Sequence, residues 1–203
     1  MNLRPHLVQP YAKVVLFVLC LMPFAYLLYA AVFNPSSLGA NPAEYIIRST
    51  GDWVLRFLCI TLAITPLRVI TATPQLARLR RMLGLYVFFY ALLHLLSYSL
   101  FDKEFDIPEI AKDIAKRPFI LVGFAGFALL TPLALTSFNK AIKWMGAKRW
   151  QALHKLVYVM AGLGILHFFW MRAGKNNFAE VFVYAGILAA LMGWRVWHKL
   201  KKN

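Results

Sequence analysis

The fold is decided first by Val14–Phe33, which reads VVLFVLCLMPFAYLLYAAVF and contains no charged side chain. A helix that crosses the hydrocarbon core of a bilayer needs about 20 mostly apolar residues, and this run has that length. A signal peptide usually has a shorter apolar core of about 7–15 residues and an A-x-A cleavage site, which does not follow here. We therefore interpret the run as a retained membrane-spanning helix.

Five further runs along the chain are also mostly apolar and long enough to cross a membrane. Together the six predicted spans lie at residues 14–33, 53–70, 82–101, 118–136, 150–170 and 178–197. Only α-helices and closed β-barrels satisfy the backbone polar groups in lipid, and these runs are too long and too uniformly apolar for barrel strands. We predict an all-α integral membrane protein, a six-transmembrane-helix bundle in which residues 1–203 form a single transmembrane domain.

The composition of the 203-residue chain supports this class, because 61% of the residues are hydrophobic and only 15% are charged. A soluble domain has about 45–50% apolar and about 25% charged residues. The net charge of +15 would suit nucleic acid, but a nucleic-acid-binding surface does not come with so much continuous apolar sequence. Two cysteines are too few for a disulfide scaffold. We therefore expect a lipid bilayer, and no nucleic acid, as the environment of the chain.

Charge placement predicts the orientation of the spans. The N-terminus, the connections after the second and fourth spans, and the C-terminus contain basic residues and no acidic ones: Arg4, Lys13, Arg68, Arg78, Arg80, Arg81, Lys140, Lys143, Lys148, Arg149, Arg195, Lys199, Lys201 and Lys202. The other three connections contain half as many basic residues and all the acidic ones: Glu44, Asp52, Asp102, Glu104, Asp106, Glu109, Asp113 and Glu180. Because basic residues of short loops stay cytoplasmic, we place both termini inside.

Three histidines lie within predicted spans, where ionisable residues are functional candidates by default. His94 lies in the third span, and His154 and His167 lie in the fifth. The third and fifth spans run in the same direction. His94 follows Arg81 by 13 residues, and His167 follows His154 by 13 residues, a rise of about 20 Å in each case. We therefore expect His94 and His167 at one depth in the outer half of the membrane.

Two imidazoles at one depth suit axial ligation of a haem iron, a metal site with further ligands, or a plain hydrogen-bonded pair. A c-type haem is excluded because the chain has no C-x-x-C-H motif. An ideal helix would place His154 and His167 about 140° apart around its axis. Either the fifth helix is irregular near Gly162–Gly164, or these two histidines face different neighbours.

Three stretches around these histidines resemble a known family. They are RRMLGL at residues 80–85, HLLSY at residues 94–98 and KRWQALHKLVY at residues 148–158, and His167 belongs with them. ITPL at residues 64–67, Arg117-Pro118 and LTS at residues 135–137 also match. The family is MsrQ (YedZ), the haem-binding membrane subunits of bacterial periplasmic protein-methionine-sulfoxide reductase systems, and the similarity covers nearly the whole chain.

The resemblance implies a cytochrome b of the ferric-reductase-like class, with one or two haem b groups and, in some descriptions, FMN. It implies a multi-pass protein of the bacterial inner membrane. Electrons would come from the quinone pool or from a cytoplasmic flavin reductase. They would pass to a periplasmic molybdopterin-containing methionine-sulfoxide reductase that repairs oxidised proteins, so substrate reduction would take place on that separate subunit.

The resemblance also implies roles for individual residues. His94, His154 and His167 match the histidines of the family and are expected to ligate haem iron. The related oxidases carry two histidines on the third helix, and here Arg80 or Arg81 stands at the level of the missing one. Both arginines are therefore cofactor-binding candidates.

Two alternative functions remain open. One is a stand-alone transmembrane ferric or metal reductase, and the other is a channel or scaffold without redox chemistry.

Overall fold

The structure is a computed structural model that describes residues 10–174 and 176–201. Three basic residues of the charge comparison, Arg4, Lys175 and Lys202, lie outside the described residues. Within the described residues the regular structure is helical throughout, with no β-strand. Two short 3₁₀ turns occur, at Pro35–Leu38 and Pro74–Arg78.

The α-helices are numbered here in chain order. They are α1 (Pro10–Phe33), α2 (Pro42–Ile70), α3 (Arg80–Phe101), α4 (Ile107–Lys116), α5 (Pro118–Leu135), α6 (Asn139–Met145), α7 (Ala147–His154), α8 (Leu156–Ala173) and α9 (Ala179–Leu200).

Six helical segments in the described part of the chain are long and apolar enough to cross a membrane. They are Lys13–Phe33, Pro42–Ile70, Pro74–Phe101, Pro118–Leu135, Ala147–Ala173 and Ala179–Leu200. Large apolar side chains cover their outer faces, as lipid requires, and Val14, Phe33 and Phe182 are each more than 60% exposed. The predicted all-α, six-span architecture is confirmed, and the chain is a multi-pass membrane protein.

The second span is longer than the sequence predicts. The prediction began it at Trp53, whereas α2 begins at Pro42, after the Asn41 side chain accepts a hydrogen bond of 3.1 Å from the Glu44 backbone N–H. Arg48 and Asp52 interrupt the apolar run, and hydropathy therefore ended the prediction there. The backbone bonds of a helix do not depend on side-chain polarity, so the helix continues through these residues.

The fifth span is irregular, but at a different place from the one considered from sequence. Helix α7 ends at His154 and α8 begins at Leu156, and Gly162–Gly164 lies inside the continuous α8. At the junction, the Lys155 N–H donates to the Ala152 carbonyl over 3.2 Å, and the Tyr158 N–H donates to the Lys155 carbonyl over 3.0 Å. Bonds of this i→i−3 type tighten a helical turn and change the angular relation between the residues on its two sides.

The chain folds into two compact units, Met1–Asp102 and Lys103–Asn203. In the first unit, α2 packs along α3, and the Phe57 ring stacks on Tyr90 with centroids 5.2 Å apart. The fully buried Tyr90 hydroxyl donates to the Cys20 carbonyl of α1 over 2.8 Å and accepts from the Phe24 N–H at 3.2 Å. A regular helix would join those two backbone groups directly, so the hydroxyl is inserted into α1 beside Pro23.

In the second unit, α5 packs along α8, and α8 also contacts α9. Helix α4 lies between the third and fourth spans and packs on α5. The side chain of Asp106 caps α4 by accepting a hydrogen bond of 3.0 Å from the Glu109 N–H. At the C-terminal end of α8, Arg172 donates to Glu180 at the start of α9, which joins the last two spans.

Candidate functional site

His94 lies on α3 and is fixed by the backbone of α2. Its Nδ1 atom lies 2.8 Å from the carbonyl oxygen of Ile47. The ring rests against Gly51, one helical turn further along α2, where an added Cβ would lie 3.1 Å from His94 Cε1. Thr50 contributes a hydroxyl 3.4 Å from Nδ1. The imidazole is half-buried, so part of the ring stays exposed at the surface of the helix pair.

His167 lies on α8 and is held by α5 in the same manner. Its Nδ1 atom lies 2.6 Å from the carbonyl oxygen of Phe119, which belongs to the first turn of α5. The ring rests against Gly123, one turn further along α5, where an added Cβ would lie 2.7 Å from His167 Nδ1. This imidazole is half-buried as well. The two units thus contain the same local arrangement of carbonyl, glycine and histidine.

The partner of Nδ1 decides the protonation of each ring. A carbonyl oxygen only accepts hydrogen bonds, so Nδ1 of both His94 and His167 carries the proton and donates. In a neutral imidazole the lone pair then belongs to Nε2. Histidines that bind metals in proteins show this pattern, in which a backbone carbonyl or a carboxylate orients the ring through its other N–H. The two imidazoles therefore have the donor chemistry of axial haem ligands.

A metal ion held only by protein side chains does not fit the described residues. No group of three or more His, Cys, Asp or Glu side chains in the described ranges is placed to hold one. Structural and catalytic metal sites usually need three or four protein ligands. A haem supplies four nitrogen ligands of its own and needs only axial ones from the protein, so the donor set fits haem better than a bare metal.

His154 has a different environment. It ends α7, and its Nδ1 atom lies 3.1 Å from the carbonyl oxygen of Trp150 on its own helix. The ring stacks on the Trp150 indole with centroids 3.8 Å apart, and Nε2 lies 3.5 Å from the Ser137 hydroxyl. The Trp150 indole N–H donates to the Thr136 carbonyl over 2.9 Å. These contacts tie the start of the fifth span to the end of α5.

The two arginine candidates begin α3 and are exposed. Arg80 donates to the Thr65 hydroxyl of α2 over 3.4 Å. His94 lies 13 residues further along the same helix than Arg81, a rise of about 20 Å. Within the first unit, therefore, the arginines and His94 occupy different levels and do not share one site.

Four residues that complete these histidine environments were not predicted: Ile47, Gly51, Phe119 and Gly123. A signal for them exists, because Ile47 precedes His94 by 47 residues and Phe119 precedes His167 by 48 residues. In both cases a glycine follows the carbonyl residue by one helical turn. This pattern of a carbonyl residue, a glycine and a distant histidine involves too few residues to be recognised from the sequence without the contacts between them.

Comparison with known proteins identifies a family of transmembrane proteins that this chain resembles. Residues 50–165 match the model of a family described as ferric reductase like transmembrane component. The matched segment contains His94 and His154 and ends before His167. No solved structure matches the chain.

Curated relatives match over almost the full length. A protein of Polaromonas naphthalenivorans (strain CJ2) is 70% identical over 196 residues, which cover 97% of this chain and 89% of the relative. A protein of Herminiimonas arsenicoxydans is 54% identical over 195 residues, covering 94% of this chain and 88% of the relative. One of Ralstonia nicotianae (strain ATCC BAA-1114 / GMI1000) is 52% identical over 185 residues, covering 91% and 84%. Each of the three is named protein-methionine-sulfoxide reductase heme-binding subunit MsrQ.

Proposed function

The chain belongs to the ferric reductase like transmembrane family and to the MsrQ family of heme-binding subunits, and from this premise we propose that it is the electron-transfer subunit of a methionine-sulfoxide reductase system. The cofactor in this proposal is haem b. The observation that carries the proposal is the paired histidine environment, in which His94 and His167 each donate Nδ1–H to a backbone carbonyl of the packed neighbouring helix. A purely structural histidine pair would not need the same fixed tautomer in both units.

His94 and His167 are the proposed axial ligands, each through Nε2. Their matched depth along parallel spans, expected from the sequence, supports this assignment. The carbonyls of Ile47 and Phe119 fix the ring planes and raise the basicity of the ligating nitrogen. When bound, a bis-histidine haem supplies a one-electron centre whose potential depends on axial ligands, hydrogen bonding and burial. Apolar side chains near such a centre would exclude water and competing reactions.

We place electron entry at the basic, cytoplasmic end of the spans. Arg80, Arg81 and His154 lie at that end in the predicted orientation, in which both termini face the cytoplasm of a bacterial inner membrane. The quinone pool or a cytoplasmic flavin reductase is the proposed donor. His154, Arg80 and Arg81 are also the candidate residues for a second haem or for FMN, since arginine suits phosphate groups. Flavin fluorescence of the heat-denatured protein tests for FMN.

Electrons leave at the opposite end, where the acidic connection between the third and fourth spans lies in this orientation. The proposed acceptor is a periplasmic molybdopterin-containing reductase that reduces methionine sulfoxide in damaged proteins. Complementary charge would steer its encounter with the exposed acids Glu104 and Asp106 and with the half-buried Glu109. Copurification with a soluble periplasmic reductase supports this role.

The alternative is a stand-alone ferric or metal reductase, which the description of the matching family favours. Reconstituted protein that reduces ferric chelates at a physiological rate without any partner would support it. Reduction of methionine sulfoxide only when the periplasmic subunit is added would support the relay. A colourless preparation from haem-sufficient cells would contradict both redox functions.

Ligand substitution tests the haem assignment directly. We expect His94→Ala and His167→Ala each to abolish the low-spin absorbance of the purified protein, measured as a reduced-minus-oxidised spectrum with the haem-to-protein ratio. His198→Ala is the matched control, because His198 stacks on Trp194 at the end of α9, with centroids 4.8 Å apart. Full retention of the spectrum in both ligand variants would overturn the assignment.

A further inference from the structure

Each of the two histidines reaches the backbone of the neighbouring helix beside one glycine, His94 beside Gly51 and His167 beside Gly123. An added Cβ on Gly123 would lie 2.7 Å from His167 Nδ1 and 2.9 Å from Cε1. An added Cβ on Gly51 would lie 3.1 Å from His94 Cε1 and 3.2 Å from Nδ1. Carbon and nitrogen atoms do not approach this closely without repulsion, since contacts between such atoms are optimal at about 3.5–4.0 Å. A methyl group at Gly123 would force the imidazole of His167 to shift, whereas one at Gly51 would require the ring of His94 to give by a few tenths of an ångström.

This relation to a side chain is missing at three other helical glycines, Gly84, Gly126 and Gly162. An added Cβ on Gly126 would meet Leu163 Cβ at 3.9 Å, and one on Gly84 would meet Thr61 Cγ2 at 3.8 Å, both ordinary contacts. An added Cβ on Gly162 would meet nothing within 4 Å. The close approach at Gly51 and Gly123 is therefore specific to the two histidines and is not a general property of glycine in these spans.

The position of each glycine explains why the ring and the carbonyl meet. Residues four apart lie one above the other on a helix, so Gly51 lies next to the Ile47 carbonyl and Gly123 next to the Phe119 carbonyl. The imidazole lies next to the glycine, where a side chain would otherwise extend, and its Nδ1 is 2.8 Å (His94) or 2.6 Å (His167) from the carbonyl oxygen. The hydrogen bond from Nδ1 to the carbonyl therefore depends on the absence of a side chain at the neighbouring glycine.

We propose that Gly51 and Gly123 are positioning residues that set the orientation and tautomer of the haem ligands His94 and His167, an inference that rests on the function proposed above. Each glycine leaves room for an imidazole to donate Nδ1–H to a helix carbonyl, which keeps the lone pair on Nε2 for iron. A side chain there displaces the ring, lengthens the Nδ1–H···O bond and weakens the ligand. Loss of the hydrogen-bond partner of a metal-ligating side chain lowers metal affinity by about 10- to 100-fold.

The test is a pair of alanine variants in the purified full chain in detergent. Gly123→Ala is expected to lower haem affinity by about 10- to 100-fold in a hemin titration, and Gly51→Ala by less, because its contacts are longer. In both variants the midpoint potential is expected to shift to a more positive value, since a less basic imidazole stabilises ferric iron less. The low-spin electron paramagnetic resonance signal is expected to change with it.

Gly126→Ala and Gly162→Ala are the matched controls in the second unit, since α5 contains Gly126 as well as Gly123 and α8 contains Gly162 as well as His167. Alanine is a better helix former than glycine by about 1 kcal/mol, so all four substitutions favour the helix itself. A loss confined to Gly51→Ala and Gly123→Ala therefore cannot come from a weakened helix. Circular dichroism and gel filtration establish that each variant folds, and if Gly123→Ala does not fold, Gly51→Ala decides the test.

The outcomes separate this inference from the assignment of the ligands. If the two glycine variants match the controls in affinity, potential and resonance signal while His94→Ala and His167→Ala lose the haem, the positioning role is wrong and the ligands stand. If the histidine variants keep the haem, both proposals fall. A graded loss, Gly123→Ala larger than Gly51→Ala and both larger than the controls, supports both.

Discussion

The ammonium nitrogen of Lys103 lies 2.8 Å from a carboxylate oxygen of Asp113, and both side chains are nearly buried. Arg117 adds a second contact of 3.3 Å from its exposed side chain. The three residues join the end of the third span, helix α4 and the start of α5. The acidic connection between the third and fourth spans is therefore held by a buried carboxylate that is paired with two basic side chains.

Replacement of this carboxylate is expected to loosen the connection. Asp113→Asn removes the charge between Lys103 and Arg117 and should lower the free energy of unfolding by about 2 kcal/mol, the scale of a hydrogen bond to a charged group. Denaturation in detergent, together with limited proteolysis between α4 and α5, measures the effect. Glu109→Gln is the control, because the pair that Glu109 forms with Lys112 at 2.7 Å is exposed and contributes at most about 1 kcal/mol. Equal effects of the two substitutions would contradict the prediction.

The inserted hydroxyl of Tyr90 provides a second stability test. Tyr90→Phe removes the bridge between the Cys20 carbonyl and the Phe24 N–H and is expected to cost about 1–2 kcal/mol, since two backbone groups next to Pro23 lose a partner. Thermal unfolding of the purified protein checks this cost. Tyr26→Phe, on the same helix and half exposed, should have no measurable effect. An unchanged unfolding temperature for Tyr90→Phe would show that α1 closes its own hydrogen bond instead.

Thr50→Val tests which of two polar groups near His94, the Thr50 hydroxyl or the Ile47 carbonyl, orients its ring. The Thr50 hydroxyl is 3.4 Å from Nδ1, while the Ile47 carbonyl is 2.8 Å away and is supplied by the backbone. We expect the valine variant to keep its haem and its midpoint potential, because valine preserves the shape of threonine and the carbonyl bond is the shorter one. Loss of haem in this variant would assign the orientation of His94 to the hydroxyl.

His154→Ala addresses the third histidine. His154, at the end of α7, contacts the Trp150 carbonyl of its own helix and the Ser137 hydroxyl, whereas His94 and His167 each bond a carbonyl of a packed neighbouring helix. The low-spin spectrum that depends on His94 and His167 should therefore persist in this variant, and reduction by the electron donor should slow. Stopped-flow reduction and the haem-to-protein ratio are the measurements. Disappearance of the entire haem spectrum would place His154 among the ligands of that haem.

Much of the fold could be predicted because hydropathy in a membrane is a strong constraint. A run such as Val14–Phe33 has no stable place outside the bilayer, and its backbone groups must be hydrogen-bonded inside the protein, which a helix achieves almost entirely by itself. The same reasoning failed at residues 42–52, because Arg48 and Asp52 lower the local hydropathy while α2 continues through them. Helix α4 was also missed, since a short amphipathic helix has no apolar run from which to predict it.

Residue types alone indicate which side chains can do chemistry in the membrane. His94, His154 and His167 are ionisable groups in apolar spans, and their cost in lipid makes them functional candidates wherever the helices pack. How two of them are held depends on the packing of the helices. The carbonyls of Ile47 and Phe119 are backbone atoms, which every residue type has, so the sequence does not identify them as partners. A glycine in a helix likewise does not indicate a histidine contact until the packing is known. Such contacts join residues nearly 50 positions apart, and packing alone brings them together.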